Sequence, residues 1–301
     1  MKPTKVLLTG ANGLLGGNIL RLSLGWEGLE LLPTQRSKTF VIPEAFSGGQ
    51  EVPSLDLCSQ TDVWNVISQW RPDAIIHTAA MTEPGVCEVN QGQAEVCNVE
   101  ATRVLCDLSE HFGIRLIFIS TDLVFDGEKG DYVETDTPIP ISYYGDTKLR
   151  SEKYIAEAIQ NFVILRTSLL LGMSPRGGRG LNERILADAQ AGKPLVFFED
   201  EYRTPMDSKM LARMTLMLAT GNGREVTGLY HATGPEKLSR LELGRKICKH
   251  YGITDDRYTV SSLAAASPFP PRPKDCSLVS SAITEALKIS FPSIDEIIAG
   301  Y

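Results

Sequence analysis

The chain has 301 residues, 43% hydrophobic and 22% charged, the balance of a globular protein with one large or two modest domains. Its net charge of −7 argues against a nucleic-acid or anionic-membrane partner, since both attract basic surfaces. No apolar stretch reaches the roughly 20 residues of a membrane span and no signal peptide is evident, so we expect a cytoplasmic protein.

Short apolar runs alternate with helix-like stretches in the first half of the chain. Apolar runs without polar alternation are typical of parallel strands buried on both faces. The predicted strands are 5–8, 29–32, 74–77, 116–120 and 162–166, and the predicted helices are 14–24, 61–70, 95–112 and 142–160. Thr61 is the predicted N-cap of its helix. The pattern predicts an α/β fold with a doubly wound parallel sheet.

A glycine-rich turn follows the first predicted strand. Gly10 allows a tight turn, Gly13 lets backbone N–H groups approach a pyrophosphate, and Gly16 lets helix and strand pack closely. The helix N-terminus adds partial positive charge. An ordinary strand–helix turn is the alternative, but the position of the motif favours a dinucleotide site of the Rossmann type. Its predicted cofactor contacts are Gly10, Asn12, Gly13, Leu14, Leu15 and Gly16.

The second half of the chain is less regular. Pro175 to Gly180 form a loop that is either a lid or a surface connection. The further predicted elements are helices 181–191, 207–219 and 239–251, strands 195–198 and 228–232, and a proline-rich loop at 268–273. We expect residues 1–168 and about 206–234 to form the Rossmann domain. About 169–205 and 235–301 would then form a smaller mixed α/β substrate-binding portion.

Tyr144 and Lys148 lie four residues apart at the start of a predicted helix, which places them on one face. A neighbouring ammonium favours phenolate and lowers a tyrosine pKa from about 10. The tyrosine can then exchange a proton near neutral pH. Two solvated helix residues are the alternative when this pair is considered alone.

Three motifs together resemble the extended short-chain dehydrogenases/reductases: the glycine turn from Thr9, Ser120-Thr121-Asp122 and Tyr144-x-x-x-Lys148. Within that superfamily, further segments are similar to the dTDP-4-dehydrorhamnose reductase group, which also includes the regulatory beta subunit of methionine adenosyltransferase. These segments are Ser120 to Gly127, Tyr132-x-Glu134-x-Asp136-x-Pro138, Leu165 to Ser168, Asp200 to Pro205, Gly228 to His231 and Arg272-Pro273. The likeness covers nearly the whole chain.

The resemblance implies a reductase that passes a hydride from nicotinamide C4 to a keto carbon of a nucleotide-activated sugar. Tyr144 would donate the proton, Thr121 would hydrogen-bond the same oxygen, and Lys148 would lower the tyrosine pKa and bind the nicotinamide ribose. Ser120 is the alternative to Thr121. Arg203 and Arg272 are candidates for the substrate phosphates, with ion pairs as the alternative for each.

The segment after the second predicted strand bears on the choice of cofactor. Pro33 to Lys38 contain no acid that would bind both ribose hydroxyls, and Arg36 can bind a 2′-phosphate. This favours NADP and leaves NAD open. By resemblance, Asp56 and Leu57 would contact the adenine. Ala79 and Ala80 would likewise lie beside the cofactor, with a structural role as the alternative for each pair.

The chain departs from the rhamnose-pathway reductases where the sugar should lie. It has Met81 and Pro84-Gly85-Val86 in place of a Tyr and a Val-Asp-Lys run, and Leu169 in place of a Trp. Met81 is therefore a candidate substrate contact whose partner sugar stays open. An epimerase or dehydratase and a non-catalytic dinucleotide-binding regulatory subunit are the alternative functions. Exposed helices leave a homo-oligomer open.

The cysteines and histidines give no metal-binding pattern. No two cysteines form a Cys-x-x-Cys pair, and the 4 histidines are scattered, so we expect no metal site. Reduced and mostly buried thiols are typical of a cytoplasmic protein. The cysteines are Cys58, Cys87, Cys97, Cys106, Cys248 and Cys276.

Overall fold

The computed structural model describes residues 2–221 and 223–301. The strands, numbered in chain order, are β1 (Thr4–Thr9), β2 (Leu29–Thr34), β3 (Ala74–His77), β4 (Arg115–Thr121), β5 (Phe162–Thr167), β6 (Leu170–Leu171), β7 (Leu195–Phe198), β8 (Tyr202–Arg203), β9 (Met206–Asp207), β10 (Gly228–His231), β11 (Leu238–Ser239) and β12 (Tyr258–Ser261).

The helices are α1 (Leu14–Ser23), α2 (Glu44–Ser47), α3 (Gln60–Trp70), α4 (Pro84–Val89), α5 (Gln91–Ala94), α6 (Ala101–Phe112), α7 (Tyr143–Ala158), α8 (Leu181–Gln190), α9 (Ser208–Thr220), α10 (Arg240–His250), α11 (Leu263–Ala266), α12 (Ser281–Leu287) and α13 (Ile294–Ala299). A π-helical segment, Glu95–Glu100, precedes α6, and 3₁₀ turns occur at Asp122–Val124 and Asp255–Arg257. Across residues 2–221 and 223–301, no helix has both the length and the apolar character needed to cross a bilayer.

Six parallel strands form the main sheet in the order β10-β5-β4-β3-β1-β2. The chain leaves β1 for β2 on one side and returns to β3 on the other. At such a switch point the crossover connections diverge, and a crevice opens beyond the carboxyl ends of the strands. Thr9 stands opposite Thr34 and His77, so the crevice begins where β1 meets β3. The predicted doubly wound parallel sheet is confirmed.

Alternate residues of the central strands pack into two cores, one on each face of the sheet. Leu8 and Ile76 face α1 and α9, whereas Leu7 and Ile75 face α3, α6 and α7. Both sets are fully buried, because in a parallel sheet covered on two sides every side chain meets a helix. Burying a leucine or isoleucine side chain contributes about 1.5–3 kcal/mol, so these layers hold the crevice rigid.

A third core joins the elements that follow β5. Apolar side chains of α8, β7, α10 and α13 pack together there, beside the small parallel sheet of β7 and β12. In contrast, β10 pairs with β5 and α9 packs on α1, as the predicted division would place them. Ile283 and Leu287 of α12 pack in the first core, although they fall within the predicted substrate portion. The division into a Rossmann domain and a substrate-binding portion stays a prediction. The packing of α12 differs from that prediction, because it lies against the Rossmann sheet.

Several predicted helix boundaries are wrong by one or two residues because a polar residue caps the helix from outside. Ser59, not Thr61, is the N-cap of α3, since its Oγ accepts from the Asp62 N–H at 3.3 Å. Ser142, Asp207 and Ser239, placed inside predicted helices, likewise act as N-caps. The segment predicted as one helix over 95–112 begins with the π-helical segment.

Candidate active site

The glycine turn between β1 and α1 leaves room only for glycine at two positions. Gly10 has φ +76°, and a Cβ there would lie 2.8 Å from Thr78 Oγ1. A Cβ on Gly16 would lie 2.1 Å from the Gly10 carbonyl oxygen. Gly13 caps α1 without a side chain, and the first turn of α1 carries no acid. The amino end of α1 therefore offers bare N–H groups and partial positive charge, which suits a diphosphate.

A cavity of about 800 Å³ lies beyond the carboxyl ends of the central strands. A second cavity of about 780 Å³ adjoins it and shares the lining residues Thr121, Tyr144 and Ser168. The first cavity contains the predicted cofactor, catalytic and Met81 positions together, namely Gly10, Asn12, Gly13, Leu14, Leu15, Gly16, Arg36, Asp56, Leu57, Ala79, Ala80, Met81, Thr121, Tyr144 and Lys148. The second is lined by Arg203 and Arg272.

Residues after β2 and before α3 line another part of the first cavity. Arg36 is exposed there, and its Nη1 lies 3.8 Å from Cys97 Sγ. Asp56 is also exposed, and its Oδ1 accepts from the Cys58 N–H at 3.0 Å. Arg36 is thus an exposed cation of this wall, the kind of group that binding of a 2′-phosphate requires.

Gly145 sets the position of Tyr144 against Thr121. A Cβ on Gly145 would lie 2.1 Å from the Leu123 carbonyl oxygen, so only glycine lets the first turn of α7 touch the 3₁₀ turn after β4. Ser142 fixes the same turn by accepting from the Gly145 N–H at 3.2 Å. Thr121 and Tyr144 are consequently 7% and 8% exposed, at the junction of the two cavities.

Burial changes the protonation equilibria of the Tyr144–Lys148 pair. Burial raises the pKa of Tyr144 well above its usual value, the charges of Asp122 and Cys87 raise it further, and only the hydrogen bond with Thr121 lowers it. The predicted lowering of the Tyr144 pKa by Lys148 is therefore wrong for this arrangement. Burial also lowers the pKa of Lys148 to about 7, against the opposing charge of Glu152. Its Nζ lies 3.9 Å from the Phe118 ring centroid. A phenol that keeps its proton is the form a proton donor needs.

A buried ionic network lies beside the junction of the cavities. Asp122 accepts from Ser168 Oγ at 2.6 Å and from Thr121 Oγ1 at 3.1 Å, and lies 3.4 Å from Arg203 Nε. Burial raises the Asp122 pKa, whereas the Arg203 charge lowers it. Glu201 is paired with Arg203 at 3.4 Å. Arg203 thus has two carboxylate partners within the protein, and its position supports the ion-pair alternative.

Arg272 occupies a different environment in the second cavity. Its side chain is 47% exposed and lies 3.3 Å from Glu201. Three further arginines, Arg179, Arg184 and Arg240, line the same cavity. No periodic pattern in the sequence marks these arginines, because the loop and helices that carry them come together only in the fold. The wall of the second cavity also contains Glu83, Asp122, Asp188 and Glu201, so its arginines lie among carboxylates.

The Pro175–Gly180 loop crosses the place where the cavities join. Arg179 lines both cavities, and its Nη1 lies 3.6 Å from Glu83 Oε1 on the opposite side. Arg176 stacks on the Phe40 ring at 4.0 Å. Each contact is exposed and worth little on its own. The loop therefore lies at the entrance to the cavities, and its action as a lid stays a prediction.

Sequence reasoning missed Asn98, in the π-helical segment. Its Oδ1 accepts from the Met81 N–H at 2.8 Å, and its Nδ2 donates to the Met81 carbonyl at 3.0 Å and to Thr147 Oγ1 at 3.1 Å. One buried amide therefore fixes the Met81 turn against α7. π-Helical segments are often found at functional sites, but no local sequence pattern predicts them.

The parallel sheet with its crevice, the glycine turn and the buried Tyr144–Lys148 pair define an oxidoreductase of the extended short-chain dehydrogenase/reductase class. Within that class, the chain belongs to the family of the RmlD substrate binding domain, which it matches over residues 4–300. The resemblance stated from the motifs is thereby confirmed.

Three proteins illustrate the likeness. A probable low-salt glycan biosynthesis reductase of Haloferax volcanii is 30% identical over 97% of this chain and 95% of that protein. Methionine adenosyltransferase 2 subunit beta of Xenopus laevis is 25% identical over 91% of this chain and 80% of that protein. The structure of a dTDP-4-dehydrorhamnose reductase from Bacillus anthracis, in complex with NADP, aligns with a TM-score of 0.85 at 25% identity, covering 100% of this chain and 99% of that one.

Proposed function

We propose that this protein is an NADPH-dependent reductase of a nucleotide-activated keto sugar, with NADH as the second choice of cofactor. The observation that carries the proposal is the position of Thr121 and Tyr144 in the wall shared by the two cavities. A group at that wall reaches ligands in both cavities. The reductases among the relatives, and the NADP held by the Bacillus anthracis structure, support the same reaction.

The residues of the first cavity fit a nicotinamide dinucleotide. The side-chain-free turn at Gly10, Gly13 and Gly16 would hold the diphosphate, and Arg36 would hold a 2′-phosphate. Lys148, near the catalytic end, would bind the nicotinamide ribose. When bound and reduced, the cofactor supplies a hydride to the substrate.

Tyr144 would supply the proton that completes the reduction. The keto carbon gains the hydride while the carbonyl oxygen takes the proton of the Tyr144 phenol, so a ketone becomes a secondary alcohol. Thr121 would donate a hydrogen bond to the same oxygen and stabilise the developing negative charge. Its hydroxyl now donates to Asp122 at 3.1 Å, so it must turn to do this.

The second cavity would hold the nucleotide part of the substrate. Arg272, Arg179 and Arg184 are exposed at its wall, and guanidinium groups bind phosphate oxygens in pairs. Arg203 would act indirectly, because Asp122 and Glu201 already neutralise it. Of the two predicted phosphate ligands, we retain Arg272 as the direct one.

The test is a screen of the purified protein with NADPH against a panel of nucleotide-linked 4-keto sugars, following the loss of reduced-cofactor absorbance. The proposal expects turnover with at least one member and none with the free sugars. Tight NADPH binding without turnover on any member would favour a regulatory subunit instead. Conversion of a nucleotide sugar without net consumption of cofactor would favour epimerisation or dehydration.

A further inference from the structure

Two of the six cysteines line the dinucleotide cleft. Cys58 and Cys97 belong to the wall of the first cavity, whereas Cys87, Cys106, Cys248 and Cys276 are buried elsewhere. Cys58 is exposed in the turn before α3, and Cys97 is half-buried in the π-helical segment. The Cys58 and Cys97 side chains are neighbours in that wall. No step of the proposed reduction uses either sulfur.

The surroundings of the two sulfurs differ. Cys97 Sγ accepts from Gln93 Nε2 at 3.0 Å and faces Arg36 Nη1 at 3.8 Å. Cys58 has a carboxylate neighbour, because Asp56 accepts from its backbone N–H. Burial, followed by the charges of Cys97 and Asp56, raises the pKa of Cys58 to about 11. Nitrogen donors therefore surround the Cys97 sulfur, and its contact with Arg36 makes it the thiol to which we assign the first attack.

We propose that Cys58 and Cys97 form a reversible disulfide that competes with the dinucleotide for the cleft. The co-reactant is a low-molecular-weight disulfide. The Cys97 thiolate attacks one of its sulfurs and releases the first small thiol. The Cys58 thiol then loses its proton and attacks the Cys97 sulfur of the mixed disulfide, releasing the second small thiol. Two protein thiols are oxidised, and one small disulfide is reduced to two thiols.

The competition follows from the neighbours of each sulfur, and it rests on the proposed cofactor site. Cys58 adjoins Asp56 and Leu57, the predicted adenine contacts, and Cys97 touches Arg36, the predicted 2′-phosphate ligand. A disulfide holds two Cα atoms within about 7 Å, so it would tie these two walls together across the adenosine end. By linkage, whatever factor the disulfide costs in dinucleotide affinity, the dinucleotide costs in disulfide formation.

The experiment treats the full-length protein with oxidised glutathione and measures two quantities. Peptide mapping by mass spectrometry identifies the disulfide, and fluorescence titration gives the NADPH affinity before treatment, after it, and after reduction by dithiothreitol. We expect a Cys58–Cys97 disulfide and at least about a tenfold loss of NADPH affinity, a difference of about 1.4 kcal/mol. Dithiothreitol should restore the affinity, and saturating NADP⁺ should slow disulfide formation.

Two single variants provide the controls. In Cys97→Ser, which lacks the thiol that attacks first, the ratio of NADPH affinities before and after glutathione treatment should stay near one. In Cys58→Ser, which lacks the resolving thiol, the mapping should show only a mixed disulfide between Cys97 and glutathione. A protein that binds NADPH when reduced and forms no such disulfide overturns the inference. So does one whose affinity is unchanged once the disulfide has formed. Both outcomes leave the proposed reductase standing. Absence of turnover on every keto sugar overturns the reductase without affecting the mapped disulfide.

Discussion

Replacing Gly145 with alanine should separate cofactor binding from catalysis. The new Cβ would lie 2.1 Å from the Leu123 carbonyl oxygen, about 1.3 Å closer than ordinary contact at 3.4 Å. Both groups belong to backbone, so the first turn of α7 must move, and Tyr144 moves with it. Misplacing a reacting group by about 1 Å costs about 100-fold in rate. We therefore expect turnover to fall about 100-fold while NADPH affinity changes by less than about threefold.

The assay compares kcat, KM and the NADPH affinity of Gly145→Ala with those of Gly92→Ala. Gly92 lies in the short helix α5, and a Cβ there would meet nothing within 4 Å. The control should behave as the parent protein, and circular dichroism with a thermal melt shows whether each variant is folded. A folded Gly145→Ala protein that turns over substrate within threefold of the parent would refute the packing argument for Tyr144.

Three further variants test other parts of the site. Tyr144→Phe should lower turnover about 100-fold or more and leave NADPH affinity within a few-fold. The control variant Tyr143→Phe should change neither quantity. Equal turnover in the parent protein and in Tyr144→Phe would remove the phenol from the reaction. Arg36→Ala should weaken NADPH binding at least about tenfold and NADH binding less than about twofold, since a charge-assisted hydrogen bond contributes about 1.5–3 kcal/mol. Equal losses of affinity for the two cofactors would show that Arg36 is merely solvated. Glu152→Gln should lower the free energy of unfolding, measured in urea, by about 3 kcal/mol, because it leaves the buried Arg166 charge unpaired. A loss below about 1 kcal/mol would contradict the expected contribution of this ion pair.

Local sequence patterns were enough to predict the sheet and the glycine turn. The apolar run 74–77 matches the observed strand, because a strand covered on both faces has apolar residues on both faces and therefore forms a continuous apolar run. The spacing of the glycines is also a local signal, and the crowding at Gly16 arises within the turn itself, whereas that at Gly10 comes from Thr78 and Ala79 after β3. Helix ends were predicted less well, because more than one hydroxyl residue can lie near a helix start, as Ser59 and Thr61 do at α3.

The environment of the site residues could not be predicted from the same patterns. Tyr144 and Lys148 were correctly placed on one helix, but the direction of the Tyr144 pKa depends on burial under α4 and on Asp122 and Cys87, which are distant in sequence. The partners of Arg203 are likewise set by the tertiary fold. Neither the carboxylate neighbours of a residue nor its burial by distant segments can be predicted from the residues next to it in sequence.

The glycine turn also restricts where coenzyme preference can be changed. Gly10 and Gly16 have no space for any side chain, so at these two positions the turn presents only main chain. The diphosphate proposed to bind there is the same in both coenzymes. Arg36 is exposed, so its replacement should disturb little packing. Laboratory evolution toward the non-phosphorylated coenzyme should therefore accumulate its substitutions around Arg36 and leave the first turn of α1 untouched.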